Sequence, residues 1–200
     1  MSNPVTLAVL ISGSGTTLQN LIDRIADGRL QARIVRVVSS KASAFGLTRA
    51  TAAGLSTAVV ERKQFDSVES FSAAIFAECR TSGAELVCLG GFLQLLRIPP
   101  DFAGRVLNIH PALLPAFGGK GMYGHHVHEA VLRAGVAESG CTVHLVDDEY
   151  DHGPIVLQRR VPVHSDDTPE SLAARVFAAE CDAYPEAIRV VAEQLRPRQR

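Results

Sequence analysis

Within the first 90 residues, four short apolar runs alternate with three segments of helical period, each closed by a glycine. Few folds accept that alternation. Val5–Ile11 is a near-continuous apolar run, the pattern of a parallel strand buried on both faces. Leu18, Leu21, Ile22 and Ile25 then recur at helical spacing until Gly28. A β-branched run at 34–38 follows, then a helical segment at 45–53 stopped by Gly54, and a third strand at 57–60. Residues 68–80 are amphipathic, with Phe71, Ile75 and Cys79 on one face and Gly83 beyond, and 86–89 and 106–109 are two more buried strands. Repeated strand–helix–strand units join parallel neighbours by right-handed crossovers. The pattern predicts an α/β chain with a mostly parallel central sheet of about seven strands, flanked by helices on both faces.

The second half reads differently. Residues 112–124 form a long Gly/Pro-rich loop, a length that in compact domains is often functional. A short helix is expected from His128 to Leu132, and strands at 141–146 and 155–161 flank the acidic turn 147–151. A long helix at 169–194 follows Thr168, a suitable N-cap, with Pro169 at its first position. No composition shift marks a boundary, so a single domain is expected over 1–195, with 196–200 as a tail. Hydrophobic residues are 46% of the chain, which excludes wholesale disorder. Lys plus Arg is 20 against Asp plus Glu 21, so no broad electrostatic footprint for nucleic acid or an anionic membrane exists. Cys79, Cys88, Cys141 and Cys181 are scattered without C-x-x-C pairing, as in reduced cytoplasmic proteins. Residues 1–4 lack a basic leader region, and Val5–Ile11 is too short to span a bilayer. A cytoplasmic protein acting on small molecules, as a monomer or weak homodimer, is expected.

Three constellations carry chemistry. Ser12-Gly13-Ser14-Gly15-Thr16-Thr17 lies between the first strand and the first helix, where backbone amides and threonine hydroxyls bind an anion well. A tight strand-to-helix turn is the plain alternative. Leu18 stands where the dinucleotide fingerprint has its third glycine, and Ser39-Ser40-Lys41 offers no acidic ribose clamp. A small phosphate monoester therefore suits the loop better than a dinucleotide. Asn108-Ile109-His110-Pro111 closes a central strand, and residues two apart on a strand face the same side. An amide and an imidazole looking into one space can hydrogen-bond a developing oxyanion or pass a proton, or can merely satisfy strand-end backbone. Asp151-His152-Gly153-Pro154 offers a carboxylate that favours a charged imidazole nearby, although the turn 147–151 alone reads as solvated. His125, His126 and His128 lack an H-E-x-x-H pattern, so exposure at a helix start accounts for them better than zinc.

Taken together, Val9-Leu10-Ile11-Ser12-Gly13-Ser14-Gly15-Thr16-Thr17-Leu18-Gln19, Lys41-Ala42-Ser43-Ala44-Phe45-Gly46-Leu47 and Leu89-Gly90-Gly91-Phe92-Leu93 resemble one family in order along the chain. So do Asn108-Ile109-His110-Pro111-Ala112-Leu113-Leu114-Pro115, Gly140-Cys141-Thr142-Val143-His144, Asp151-His152-Gly153-Pro154, and Glu180 with Tyr184-Pro185. The chain resembles the phosphoribosylglycinamide formyltransferases, folate-dependent enzymes of purine synthesis. The resemblance implies a Rossmann-like formyltransferase fold, with 10-formyltetrahydrofolate as co-substrate and no metal. It implies transfer of the formyl group to the amine of glycinamide ribonucleotide. Asn108 and a protonated His110 would stabilise the oxyanion, and Asp151 would keep His110 charged. Gly15, Thr16, Thr17, Gly91 and Glu180 would bind the ribonucleotide; Leu93, Gln94, Leu95, Leu96, Asn108 and Asp147 would hold the folate; Thr142 and His144 would support the pocket.

Some positions depart from the family pattern. Val68 stands where many members have an arginine near the folate, with Lys63 the nearest substitute. His152 replaces a common glycine, and the segment 117–124 is long and glycine-rich, read as a mobile stretch whose Lys120 adds charge beside the phosphate. Formyl transfer to another amine (an amino sugar or methionyl-tRNA) or hydrolysis of the folate is the neighbouring reading. A C-terminal domain and a basic surface are missing for tRNA, and an N-terminal regulatory domain for the hydrolase. A non-catalytic module sensing a phosphorylated metabolite is the third; it leaves Asn108, His110 and Asp151 without a role.

Overall fold

The computed structural model describes residues 3–195, so the expected tail at 196–200 lies outside the described residues. One seven-stranded sheet runs in the order β3-β2-β1-β4-β5-β6-β7. Strands β1 (Val5–Ile11), β2 (Ala32–Ser39), β3 (Thr57–Val59), β4 (Leu86–Leu89) and β5 (Val106–His110) pair in parallel. Strands β6 (Glu138–Leu145) and β7 (Ile155–Pro162) pair antiparallel, β6 against β5 and β7 against β6. The turn between β6 and β7 is too short for a parallel crossover, which needs a dozen or more residues. The helices are α1 (Thr16–Ala26), α2 (Phe45–Ala52), α3 (Val68–Thr81), α4 (His125–Ala134) and α5 (Pro169–Leu195).

Strand β1 shows how the pattern builds two cores. Val5, Leu7, Val9 and Ile11 point to one face and join Leu18 and Leu21 of α1 and Val176, Ala183, Tyr184 and Ile188 of α5. Ala8 and Leu10 point to the other face and join Phe71, Ile75, Phe76 and Cys79 of α3. Each such large apolar side chain, fully buried, contributes roughly 1.5–3 kcal/mol of transfer free energy. Helix α5 is also tied to the sheet by a polar staple. The buried Tyr184 hydroxyl lies 3.0 Å from the Leu89 carbonyl and 2.9 Å from that of Leu107, at the ends of β4 and β5. At the start of α5, Thr168 Oγ1 accepts from the Ser171 amide and Ser171 Oγ accepts from the Thr168 amide, the reciprocal cap expected there.

Two local differences from expectation matter for the site. Helix α4 begins at His125, three residues before the expected start at His128. Its apolar stripe opens only at Val127, so hydrophobic periodicity hides the exposed first turn. The entry to α1 is set by Gly15, whose φ of 71° is left-handed. A Cβ there would also meet the Gly46 Cα at 2.6 Å, so α1 and α2 approach closely only because both positions are glycine.

Candidate active site

Strand order reverses at β1, with β2 and β3 on one side and β4 and β5 on the other. Open α/β sheets bind ligands at the carboxyl ends of strands flanking such a reversal. A cavity of about 650 Å³ lies there. Thr16 and Thr17 line it from the start of α1, Gly91 and Leu93 to Leu96 from the segment after β4, and Glu180 from α5. Asn108, His110, His144, Asp147 and Asp151 line it as well. Gly15 and Thr142 are not on its wall; Gly15 shapes the turn beside it, and Thr142 works from behind.

The antiparallel register places Asn108 of β5 opposite His144 of β6, and His110 opposite Thr142. Asp151 reaches this row from the β6–β7 turn. Asn108 Nδ2 donates to Asp151 Oδ1 at 3.2 Å and to His144 Nε2 at 3.1 Å. His144 Nδ1 donates to the Leu145 carbonyl at 2.9 Å, which leaves Nε2 as the acceptor for Asn108. The other carboxylate oxygen, Asp151 Oδ2, lies 3.4 Å from His110 Nδ1 and accepts from the Gly119 amide at 3.1 Å. Asn108, His110 and His144 thus gather around one carboxylate, a convergence that linear spacing left open.

Both nitrogens of His110 face acceptors: Asp151 at Nδ1 and the Phe117 carbonyl, 2.8 Å away, at Nε2. Only the doubly protonated ring satisfies both. Burial opposes that state and outweighs the pull of Asp151 and Phe117, so the His110 pKa lies below the ordinary imidazole value. Asp151 and the Phe117 carbonyl thus favour the charged ring that the resemblance implies, and burial opposes it. For Asp151 the balance runs the other way. Burial pushes its carboxyl up, but the neighbouring His144 and His110 and the bond from the Gly119 amide together hold it below the usual range. Asp151 does this at φ 54°, a left-handed backbone that side chains seldom adopt.

The segment 117–124, expected as a mobile stretch, bonds His110 through the Phe117 carbonyl and Asp151 through the Gly119 amide. Among the described residues Lys120 in this segment is the single Lys or Arg on the cavity wall, which also carries Asp147, Glu149, Asp151 and Glu180. Burial pushes the Glu180 carboxyl up to about 7. Asp147 accepts from the Glu149 amide at 2.9 Å and pairs with His152 at 2.8 Å, so the histidine at the family's glycine position braces the turn. Behind the wall, Thr142 Oγ1 donates to the Ala112 carbonyl at 2.6 Å and accepts from the Leu114 amide at 3.0 Å. Gln158, which sequence reasoning did not single out, donates to Thr142 Oγ1 and to the Leu114 carbonyl, both at 2.9 Å. Together they fix the chain that leaves His110.

Other expectations change. Lys63 pairs with Glu61 at 3.1 Å and lies off the cavity wall, so it does not stand in for the arginine missing at Val68. Arg97, not singled out from sequence, instead donates to the Asp148 carbonyl at 3.2 Å and braces the acidic turn. His125 and His126 are exposed and sit near Glu129, as a solvated helix start predicts, whereas His128 is 5% exposed and lines the cavity. Among the described residues no three His, Cys, Asp or Glu side chains gather as a metal-ligand group. Cys79, Cys88 and Cys141 are buried and unpaired, with thiols pushed up to about 12 by burial. No helix among the described residues is long and apolar enough to cross a membrane.

Comparison with known proteins agrees with this geometry. The formyl transferase family matches the chain over residues 5–188. The chain is 39% identical over 183 residues to the phosphoribosylglycinamide formyltransferase of Escherichia coli, covering 90% of this chain and 84% of that protein. It is 44% identical over 193 residues to the trifunctional purine biosynthetic protein adenosine-3 of Gallus gallus, covering 96% of this chain but 19% of that much longer protein. The crystal structure of glycinamide ribonucleotide transformylase 1 from Symbiobacterium toebii superposes with a TM-score of 0.89 at 42% identity, over 97% of this chain and 90% of that one.

Proposed function

The chain belongs to the formyl transferase family, and we propose that it transfers the formyl group of 10-formyltetrahydrofolate to the amine of glycinamide ribonucleotide. The products are formylglycinamide ribonucleotide and tetrahydrofolate, in de novo purine synthesis. The observation that carries this reading is the convergence of Asn108 and His110 on Asp151 at the cavity wall.

The amine attacks the formyl carbon, a C–N bond forms, and negative charge collects on the formyl oxygen. An Asn108 N–H donates to that oxygen, exchanging its long bond to Asp151 for one to substrate. Catalytic bonds tighten in this way when substrates bind. His110 supplies the second donor once the Phe117 carbonyl gives way, and the growing negative charge favours the imidazolium that burial disfavours. One oxyanion donor of this kind is worth about 3–4 kcal/mol. Collapse of the intermediate breaks the bond to the folate nitrogen, which leaves with a proton relayed by water that Asp151 orders. The phosphate sits against Gly15, Thr16 and Thr17, at the positive end of the α1 dipole. Gly91 and Glu180 contact the ribonucleotide, and 93–96 with Asp147 hold the folate pterin, while Thr142 and His144 support the wall. The near-neutral charge supports small-molecule substrates over nucleic acid, and the unpaired thiols support a cytoplasmic setting, as a monomer or weak homodimer.

The test is turnover. Mixed with 10-formyltetrahydrofolate, the protein should release tetrahydrofolate with glycinamide ribonucleotide and not with amino sugars or methionyl-tRNA. Release that needs no amine would mark a hydrolase and overturn the reading.

A further inference from the structure

Among the described residues only two buried side-chain nitrogen or oxygen atoms lack a partner, and one of them is His128 Nδ1. Neither ring nitrogen of His128 bonds a protein group; Nδ1 is sealed, Nε2 is not, and the ring lines the cavity. Its neighbours on the buried face of α4 are Val127 and Val131, so an apolar side chain would suit the packing. A buried polar group without a partner typically costs about 1–3 kcal/mol. The histidine therefore weakens the fold without a compensating contact inside the protein.

The cavity names what the ring serves. Helix α4 packs on α5, whose Ala173, Val176 and Glu180 line the same wall. The ring shares that wall with His110. Of the groups an amine substrate brings there, the phosphate is served by the α1 start and the amine by Glu180. None of the roles proposed above supplies a side-chain partner for the uncharged carboxamide between amine and ribose. We propose that His128 is a substrate-contact residue, its Nε2 edge hydrogen-bonding that carboxamide. The proposal rests on the formyl-transfer reading above and deepens it.

Burial and the charges of His125 and His110 hold the His128 pKa below the ordinary value, which keeps the ring neutral and suited to an uncharged partner.

The experiment pairs thermal melting with steady-state kinetics for His128→Leu, His128→Phe and His128→Gln. The apolar variants should melt about 2–4 °C higher, because the orphaned nitrogen is gone. Their KM for glycinamide ribonucleotide should rise about tenfold, equivalent to one lost hydrogen bond, while KM for the folate stays within about twofold. His128→Gln, which carries an amide near the Nε2 position, should hold KM for the ribonucleotide within about threefold of wild type. Lower melting with an unmoved KM, equal rises for both substrates, or failure of both apolar variants to fold would each overturn the proposal alone. Absence of transfer by the wild-type protein would overturn the reaction reading on which it rests.

Discussion

Asp151 serves Asn108, His110 and the Gly119 amide from a left-handed backbone, φ 54°. Asparagine tolerates that conformation better than most residues. Asp151→Asn should therefore fold with near-wild-type stability while turnover falls about 10²–10⁴-fold. His110→Ala should fall comparably, and in both variants the dissociation constants of the substrates should move far less than kcat. Calorimetric binding beside saturating kinetics checks this; near-wild-type turnover in either variant would remove that residue from the chemistry. As isolated motifs these side chains read equally well as strand-end and solvated-turn residues, and only the resemblance of the whole chain to a family implied a joint role. Phe117, Gln158 and Arg97 were not legible. Each acts through a backbone group or a partner distant in sequence, and none has a chemistry that points to it in isolation. His128 was misread because three clustered histidines look alike in a string, and only the turn of α4 separates the buried one from the exposed pair.

Helix α1 carries its function at one end. No side chain caps its start, and Gly15 leaves the first amides bare. Four such amides lack intrahelical partners, and the helix dipole favours an anion beside them. Thr17→Asp puts a negative charge at the same place. Its KM for the ribonucleotide should rise about tenfold or more, most at low ionic strength, with the folate KM little changed. Kinetics at two salt concentrations checks it, and an unchanged KM would take the phosphate away from this turn. The parallel strands and first three helices were readable from period and glycine stops alone. The antiparallel setting of β6 and β7 was not, because apolar alternation does not encode strand direction. The early start of α4 escaped for a related reason: its first turn buries nothing.

At the scale of the molecule, the cavity imposes a cost that pH can expose. Glu180 has its carboxyl raised from 4.5 to about 7 by burial. A raised carboxyl stays protonated in the fold where the unfolded chain has already ionised. Its contribution is thus fully present below pH 4.5, falls as pH rises from there, and is lost above about pH 7. A shift of that size corresponds to stability on the order of 3 kcal/mol. Glu180→Gln should be more stable than wild type at pH 8 and close to it at pH 4.5, as read by urea unfolding at both. Equal differences at the two pH values would show that the carboxyl titrates normally.

The cavity wall is assembled from distant parts of the chain: the start of α1, residues 91–96, Asn108 and His110, residues 119–125 with His128, the acidic turn, and α5. Under the proposed roles, folate and ribonucleotide contacts come from separable stretches of the chain, so engineering a new acceptor should begin with 119–128 and α5 and leave 93–96 intact.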